Sequence, residues 1–415
     1  MQHVTDRRLG ALCKAYPVVC IAIAQLFGTS LWFSANSAAD DLQRVWGISA
    51  LEMGWLTSAV QIGFIVGTLT LALSGLADRY RASSIFIVSA LAGALCNALF
   101  AWWADGLSSA LVLRFLVGLS LAGIYPVGMK LVVSWAPERT GAALAQLVAM
   151  LTLGTALPHL IRDIGADLSW QYIITASSLL AVAGALLISL LGDGPHLPQR
   201  SPQKSTDRSS PAARFAVLGA FRIRAFRAAA WGYFGHMWEL YAFWTIVPLL
   251  VTQTVLAQHY TAIGTSSMSF PVIAVGALGC LLGGVLSKRF GSARVALAAL
   301  TCSGLCALLF VLFVDVLPPL VLAVLLLVWG AAVIADSPQF SALSAQACPP
   351  HMVGAALAIQ NSIGFAITVV SITATSALFG VFQLNAAWLL IPGPIIGVLG
   401  FLLVAKGSKE AQPTD

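Results

Sequence analysis

Charge is what this sequence has least of. Only 9% of its 415 residues are Asp, Glu, Lys or Arg, where a soluble domain carries about 25%. That scarcity excludes a water-soluble globular chain. No Gly-x-x-x-x-Gly-Lys-Ser/Thr loop is present, so ATP is not hydrolysed on this chain. There is no His-Glu-x-x-His and no Gly-x-Ser-x-Gly stretch, which removes the usual marks of a membrane hydrolase. No metal-ligand spacing and no cofactor loop stands out. The seven cysteines all lie in or beside apolar runs; Cys302 and Cys306 stand four apart with no His or carboxylate next to them, and read as small packing residues.

What is abundant is apolar. Hydrophobic residues make up 59% of the chain, and the mean hydropathy is +0.89. Length is therefore counted in bilayer crossings of about 20 residues each. Twelve apolar stretches lie roughly at 17–38, 53–75, 83–104, 108–133, 140–162, 169–192, 228–252, 262–286, 292–314, 318–344, 353–378 and 383–405. They are spans one to twelve below. The first follows Arg7, Arg8 and Lys14, as a signal peptide would, but it is too long and reads as a retained helix.

Basic residues set the orientation. With a cytoplasmic N-terminus, all but three of the 22 Lys and Arg fall on the cytoplasmic side; the exceptions are Arg44, Arg114 and Arg162. Both termini are thus expected inside, and the net charge of +6 follows from topology without a nucleic-acid partner. The longest hydrophilic stretch, 193–227, is expected to be a cytoplasmic linker between two six-span bundles, 1–192 and 228–415. Its second part, Arg214–Arg227, mixes Arg with Phe and Leu. It reads equally as an amphipathic surface helix or as a plain lead-in.

Two pairs of segments recur about 210 residues apart, in the same order and on the same side. Ser74-Gly-Leu-Ala-Asp-Arg-Tyr-Arg81 follows span two, and Gly284-Val-Leu-Ser-Lys-Arg-Phe-Gly291 follows span eight. Pro137-Glu-Arg-Thr-Gly-Ala-Ala-Leu-Ala145 follows span four, and Pro350-His-Met-Val-Gly-Ala-Ala-Leu-Ala358 follows span ten. Such parallel six-span repeats place a substrate site near the midplane where the two halves meet.

Over essentially its whole length the chain resembles the major facilitator superfamily. The likeness rests on Leu76, Ala77, Asp78 and Arg79 in the first repeat, with Gly284, Arg289 and Gly291 in the second. Ser74 and Arg81 stand where glycines are usual, and Lys288 replaces the acid. Span four adds Arg114-Phe-Leu-Val-Gly118, like the family's Arg-x-x-x-Gly motif. The resemblance implies an all-α membrane protein with 12 transmembrane helices in two pseudo-symmetric six-helix bundles. It also implies a monomeric secondary transporter in a bacterial inner membrane, alternating access, and gating by Asp78, Arg79, Arg81, Lys288 and Arg289. Among its members the chain resembles nitrate/nitrite-type or cyanate-type porters, although spans two and eight lack the Arg that nitrate porters carry there.

Ionisable groups inside spans are costly, on the order of 3 kcal/mol each at mid-bilayer, so they mark function or internal pairing. His236 and Glu239 are three apart on span seven and share a helix face. Asp336 lies deep in span ten beside Ser337 and Pro338, and is expected to be neutral or paired. Glu239, Asp336 and His236 are the expected proton carriers; the alternative is a hydrogen bond pinning two helices. Arg114 is expected to hold an anionic solute or to tune a carboxylate, with snorkelling toward the aqueous face as the rival. Gln25, Asn36, Gln339 and Asn361 are expected polar contacts, and His236, Tyr241 and Trp244 would complete the pocket. His159, Trp102, Trp103 and Trp170 read as membrane-interface residues, and Arg162 with Asp163 as a rim pair. Gly63, Gly67, Gly279 and Gly283 have the spacing for close helix approach.

The function expected from these residues is transport of a small solute, an organic or inorganic anion in the first reading, coupled to H+. Proton-driven efflux of drugs or metabolites is the second reading. A membrane-embedded enzyme and a non-transporting receptor are the others.

Overall fold

All twelve apolar stretches become helix in the computed structural model, which describes residues 10–74, 76–196, 217–349 and 353–406. No strand occurs among the described residues. Nine stretches among them are long and apolar enough to cross a membrane by length and composition, and one of these, Ala356–Lys406, runs through both of the last two spans. Pro17–Thr29 is apolar but shorter.

The chain divides near residue 200 into two compact units. The first holds spans one to six. Span two (Ala50–Leu73) starts on a reciprocal cap: the Glu52 N–H donates to Ser49 Oγ at 3.3 Å, and the Ser49 N–H to Glu52 Oε2 at 2.7 Å. Span three (Ala82–Trp103) is tied to the chain leaving span six, because Asp193 Oδ1 accepts the Ser83 N–H at 2.7 Å. Span four consists of two helices, Leu107–Leu121 and Tyr125–Trp135, the second opening on Pro126. Spans five and six are Thr140–Ile164 and Trp170–Leu191.

The second unit holds spans seven (Arg224–Thr252), eight (Thr265–Phe290), nine (Ser292–Phe313), ten (Pro319–Ala335 with Ser337–Ala347), eleven (Val353–Phe382) and twelve (Pro392–Lys406, after a 3-10 stretch Gln383–Leu390). Span seven begins four residues earlier than expected. Before it, Val217–Arg222 forms a 3-10 turn; Ala220 and Phe226 are buried with Cys348 and Ala356, and the Arg224 Nε donates to the Val404 carbonyl at 2.8 Å. This stretch is a lead-in folded onto its own unit rather than an amphipathic helix; Arg214–Ala216 lie outside the described residues.

Glycine contacts set the helix spacing. A methyl at Gly63 would run into the Phe115 carbonyl, and one at Gly118 into that of Val60, so spans two and four touch backbone to backbone. In the second unit Gly279 meets the Ala331 carbonyl and Gly330 that of Val272, joining spans eight and ten in the same manner. With backbone on both sides nothing flexible can yield. Gly118→Val is therefore expected to destabilise the protein by about 1–3 kcal/mol, the usual cost of overpacking. A melting temperature of the variant in detergent equal to that of the parent would contradict the contact.

Trp170 corrects an expectation. It is 6% exposed, not an interface anchor, because it packs edge-on against Phe100 and Trp46 at 6.2 and 5.8 Å. Trp102 and Trp103 are exposed, as lipid- or interface-facing residues would be.

Candidate functional site

Each unit has its own cluster of buried polar groups. In the first, the cluster grows from a break in span one. The helix Pro17–Thr29 stops, residues 30–35 run as turns, and Asn36–Ala38 form a 3-10 turn. Local serines explain the stop. Ser30 Oγ donates to the Phe27 carbonyl at 2.7 Å, Ser34 Oγ to that of Leu31 at 3.1 Å, and Ser37 Oγ to that of Ser34 at 2.8 Å. Hydroxyls bonded to nearby carbonyls compete with the helix ladder.

Arg114 completes the break. It is fully buried on span four, so it does not snorkel. Its Nη1 donates to the Leu31 carbonyl (3.1 Å), Ser34 Oγ (3.0 Å) and Asn97 Oδ1 (3.1 Å), and its Nη2 to the Trp32 carbonyl. The Phe100 ring lies 5.7 Å from the guanidinium carbon. Asn97 is held in turn, its Nδ2 donating at 3.0 Å to the Ile174 carbonyl and to Ser178 Oγ. One buried cation thus joins spans one, three, four and six, with both terminal nitrogens engaged by protein.

The other expected groups of this unit are also buried. Gln25 lies against Gly128, and neither of its amide atoms has a protein partner. Asn36 Nδ2 donates to Thr57 Oγ1 of span two at 3.0 Å. His159 is 1% exposed with its Nε2 unpartnered, deep in the unit and not at an interface. Arg162 pairs with Asp41 at 2.7 Å, and Arg44 reaches the same carboxylate at 3.4 Å.

In the second unit, His236 and Glu239 share a face of span seven and both meet span ten. His236 Nδ1 lies 2.7 Å from Asp336 Oδ1, with both side chains shut off from solvent. Asp336 stands at the junction of the two helices of span ten. Pro338, two residues on, cannot donate to the Ile334 carbonyl, which instead accepts the Cys280 thiol of span eight at 3.5 Å. Glu239 Oε1 accepts the Trp329 Nε1–H at 2.7 Å, and the Ser303 hydroxyl of span nine lies beside the same carboxylate. Phe243 stacks on the Trp329 indole with centroids 4.4 Å apart and fixes its direction. A buried acid paired with an imidazole, beside a second buried acid, can take up and release a proton without exposing charge to lipid.

Tyr241 and Trp244 are buried edge to face at 5.3 Å, and Tyr241 also meets Phe365 at 5.4 Å. Gln339 is buried and Asn361 half-buried; the neighbouring Gln360 is buried with both amide atoms unpartnered. Arg79, Arg81, Lys288 and Arg289 are exposed, and the side chain of Asp78 lies outside the described residues. Among the described residues no group of three or more His, Cys, Asp or Glu gathers as a metal site.

Sequence reasoning passed over Trp329, Asn97, Thr57 and Gln61. The last three carry a signal, since each is a lone hydrogen-bonding side chain in an apolar run. Trp329 carries none, as a tryptophan in such a run reads as packing.

The family model of the Major Facilitator Superfamily matches residues 21–372. The chain is 26% identical over 297 residues to the 3-(3-hydroxy-phenyl)propionate transporter of Escherichia coli (strain K12), covering 71% of this chain and 69% of that one. It is 32% identical over 128 residues to the niacin transporter NiaP of Acinetobacter baylyi (strain ATCC 33305 / BD413 / ADP1), covering 28% of each. The match therefore spans less than two thirds of the niacin transporter. In fold it is similar to the xylose transporter XylE from E. coli in its inward open conformation, with a TM-score of 0.71 at 14% identity over 94% of this chain and 95% of that one.

Proposed function

Because the chain belongs to the Major Facilitator Superfamily, we propose that this multi-pass membrane protein is a proton-coupled secondary transporter of a small aromatic acid. The observation that carries the coupling is the His236–Asp336 pair, 2.7 Å apart and sealed from solvent. A pair of this kind holds one proton stably in either of two charge states. The state of that proton biases the helix junction on which Asp336 sits, and so the balance between inward- and outward-open forms. The aromatic acid is supported by the transporters of niacin and of 3-(3-hydroxy-phenyl)propionate to which the chain is similar. In the second unit Tyr241, Trp244 and His236 offer faces and edges for a ring, with Gln339 and Asn361 as candidate polar contacts; Gln25 and Asn36 are the candidate polar contacts of the first unit. Arg114 serves in this reading to shape span one, since its terminal nitrogens are already engaged. Asp78, Arg79, Arg81, Lys288 and Arg289 form the gate, in a monomer of the inner membrane with both termini cytoplasmic.

Uptake of labelled benzoate into proteoliposomes under an imposed pH gradient tests the reading. Accumulation that follows the gradient is expected; none, with any aromatic acid offered, would overturn it. Glu239→Gln keeps the acceptor for Trp329 but cannot titrate. It is expected to cut gradient-driven uptake about a hundredfold, at the low end of what one positioned proton-transfer group contributes, while exchange at equal pH continues. Undiminished gradient-driven uptake would remove Glu239 from the coupling.

A further inference from the structure

Gln61 of span two is a polar side chain that nothing above employs. It is 0% exposed, and neither its carbonyl oxygen nor its amide nitrogen has a partner. Its direction follows from its helix neighbours. Thr57, Gln61 and Phe64 fall at i, i+4 and i+7, one stripe of span two. The two flanking members both meet the broken stretch of span one, Thr57 through Asn36 at 3.0 Å and Phe64 through Trp32 at 5.0 Å between ring centroids. Gln61 therefore faces that stretch, beside an aromatic pair.

A buried carboxamide left open at both ends matches a partner that offers an acceptor and a donor side by side. A carboxylate offers acceptors only and would meet the Gln61 carbonyl oxygen with a second oxygen. The cation nearest in kind, Arg114, has both terminal nitrogens committed to Leu31, Trp32, Ser34 and Asn97, and only its Nε lacks a partner, so the paired two-nitrogen grip on a carboxylate is taken. The other charged groups on elements packed against span two are Asp40, Asp41 and Arg44, on the short helix Ala39–Trp46 before it, and Asp78 and Arg79, on the short helix Leu76–Arg79 after it. Glu52, on span two itself, is nine residues from Gln61 and engaged in the Ser49 cap.

We propose that Gln61 and the broken stretch of span one form a subsite for a neutral –CO–XH group on an aromatic ring, either an undissociated carboxylic acid or a carboxamide. The substrate N–H or O–H donates to the Gln61 carbonyl oxygen, the Gln61 N–H donates to the substrate carbonyl, and the ring lies along Trp32 and Phe64. This rests on the reading of an aromatic substrate given above and adds the protonation state in which it is received.

Binding of benzoate and benzamide to the purified full-length protein, by calorimetry between pH 5 and 7, tests the proposal. Benzamide has no proton to lose in this range, so its profile reports the protein alone. Benzoate affinity relative to benzamide is expected to fall about tenfold per pH unit, following the undissociated fraction of a carboxylic acid titrating near 4. Gln61→Leu and Gln61→Met, which remove the donor and the acceptor together, are each expected to weaken benzamide binding about tenfold, as loss of a paired hydrogen bond does. Two variants keep the test informative, with the ligand-free melting temperature reporting folding. A ratio of benzoate to benzamide affinity that stays level with pH, or benzamide affinity unchanged in a folded Gln61 variant, overturns the subsite while leaving an aromatic substrate in place. Failure of both probes to bind the parent protein would instead strike the aromatic reading itself.

Discussion

Asp336→Asn is expected to abolish accumulation of substrate against a gradient, a loss of roughly a hundredfold or more in proton-driven uptake. The asparagine keeps the size of the side chain and its contact with His236, but it cannot exchange a proton. Substrate-for-substrate exchange at equal pH inside and out needs no net proton movement, and is expected to survive. That contrast separates coupling from folding, since a misfolded variant would lose both. The pair acts as a unit, because His236 Nδ1 and Asp336 Oδ1 are 2.7 Å apart with no solvent on either. The double variant with His236→Gln is therefore expected to lose little beyond the single one, a non-additivity typical of residues in contact. Gradient-driven accumulation by Asp336→Asn at the parent rate would end the coupling mechanism.

Arg114→Leu is expected to carry the largest stability cost in the molecule. The substitution strips donors from the Leu31 and Trp32 carbonyls, Ser34 Oγ and Asn97 Oδ1, all within a buried cluster. The Ser34 hydroxyl still reaches the Leu31 carbonyl and Asn97 Oδ1 but can serve only one of them at a time, so the loss of donors and of buried packing together is expected to cost about 3–5 kcal/mol. For a unit of some 200 residues that corresponds to a melting temperature lower by about 10 °C. Arg114→Lys, with one compact ammonium in place of a planar fork, cannot serve carbonyls and side chains in several directions and is expected to fall between. An Arg114→Leu protein that melts like its parent but loses benzoate binding would show the guanidinium to be an anion receptor instead of the clamp on span one.

The twelve spans were legible because hydropathy is a local property: about 20 apolar residues in a row suffice, whatever they pack against. The sites of close approach were legible too, as Gly63, Gly67, Gly279 and Gly283 stand at a spacing that only helix packing uses, and each meets backbone on a neighbouring span. His236, Glu239 and Asp336 announced themselves as ionisable groups where few are tolerated. Their partners did not. Trp329 is one of 12 tryptophans, and nothing in its neighbours distinguishes it from packing until its indole is found on Glu239. Trp170 was misread because a tryptophan near a span end looks the same whether it faces headgroups or, as here, Phe100 and Trp46.

Sequence alone thus determined how many times the chain enters the apolar phase, where its halves repeat, and which side chains need shelter from lipid. Lipid imposes those requirements residue by residue along the chain, and composition answers them. Only the tertiary structure decided which sheltered groups meet. Rotation of each helix about its axis, fixed by glycine contacts and by the break at residues 30–35, brings Arg114 to the carbonyls of span one and His236 to a carboxylate one hundred positions away. That rotation is set by packing between distant segments, which no local pattern records.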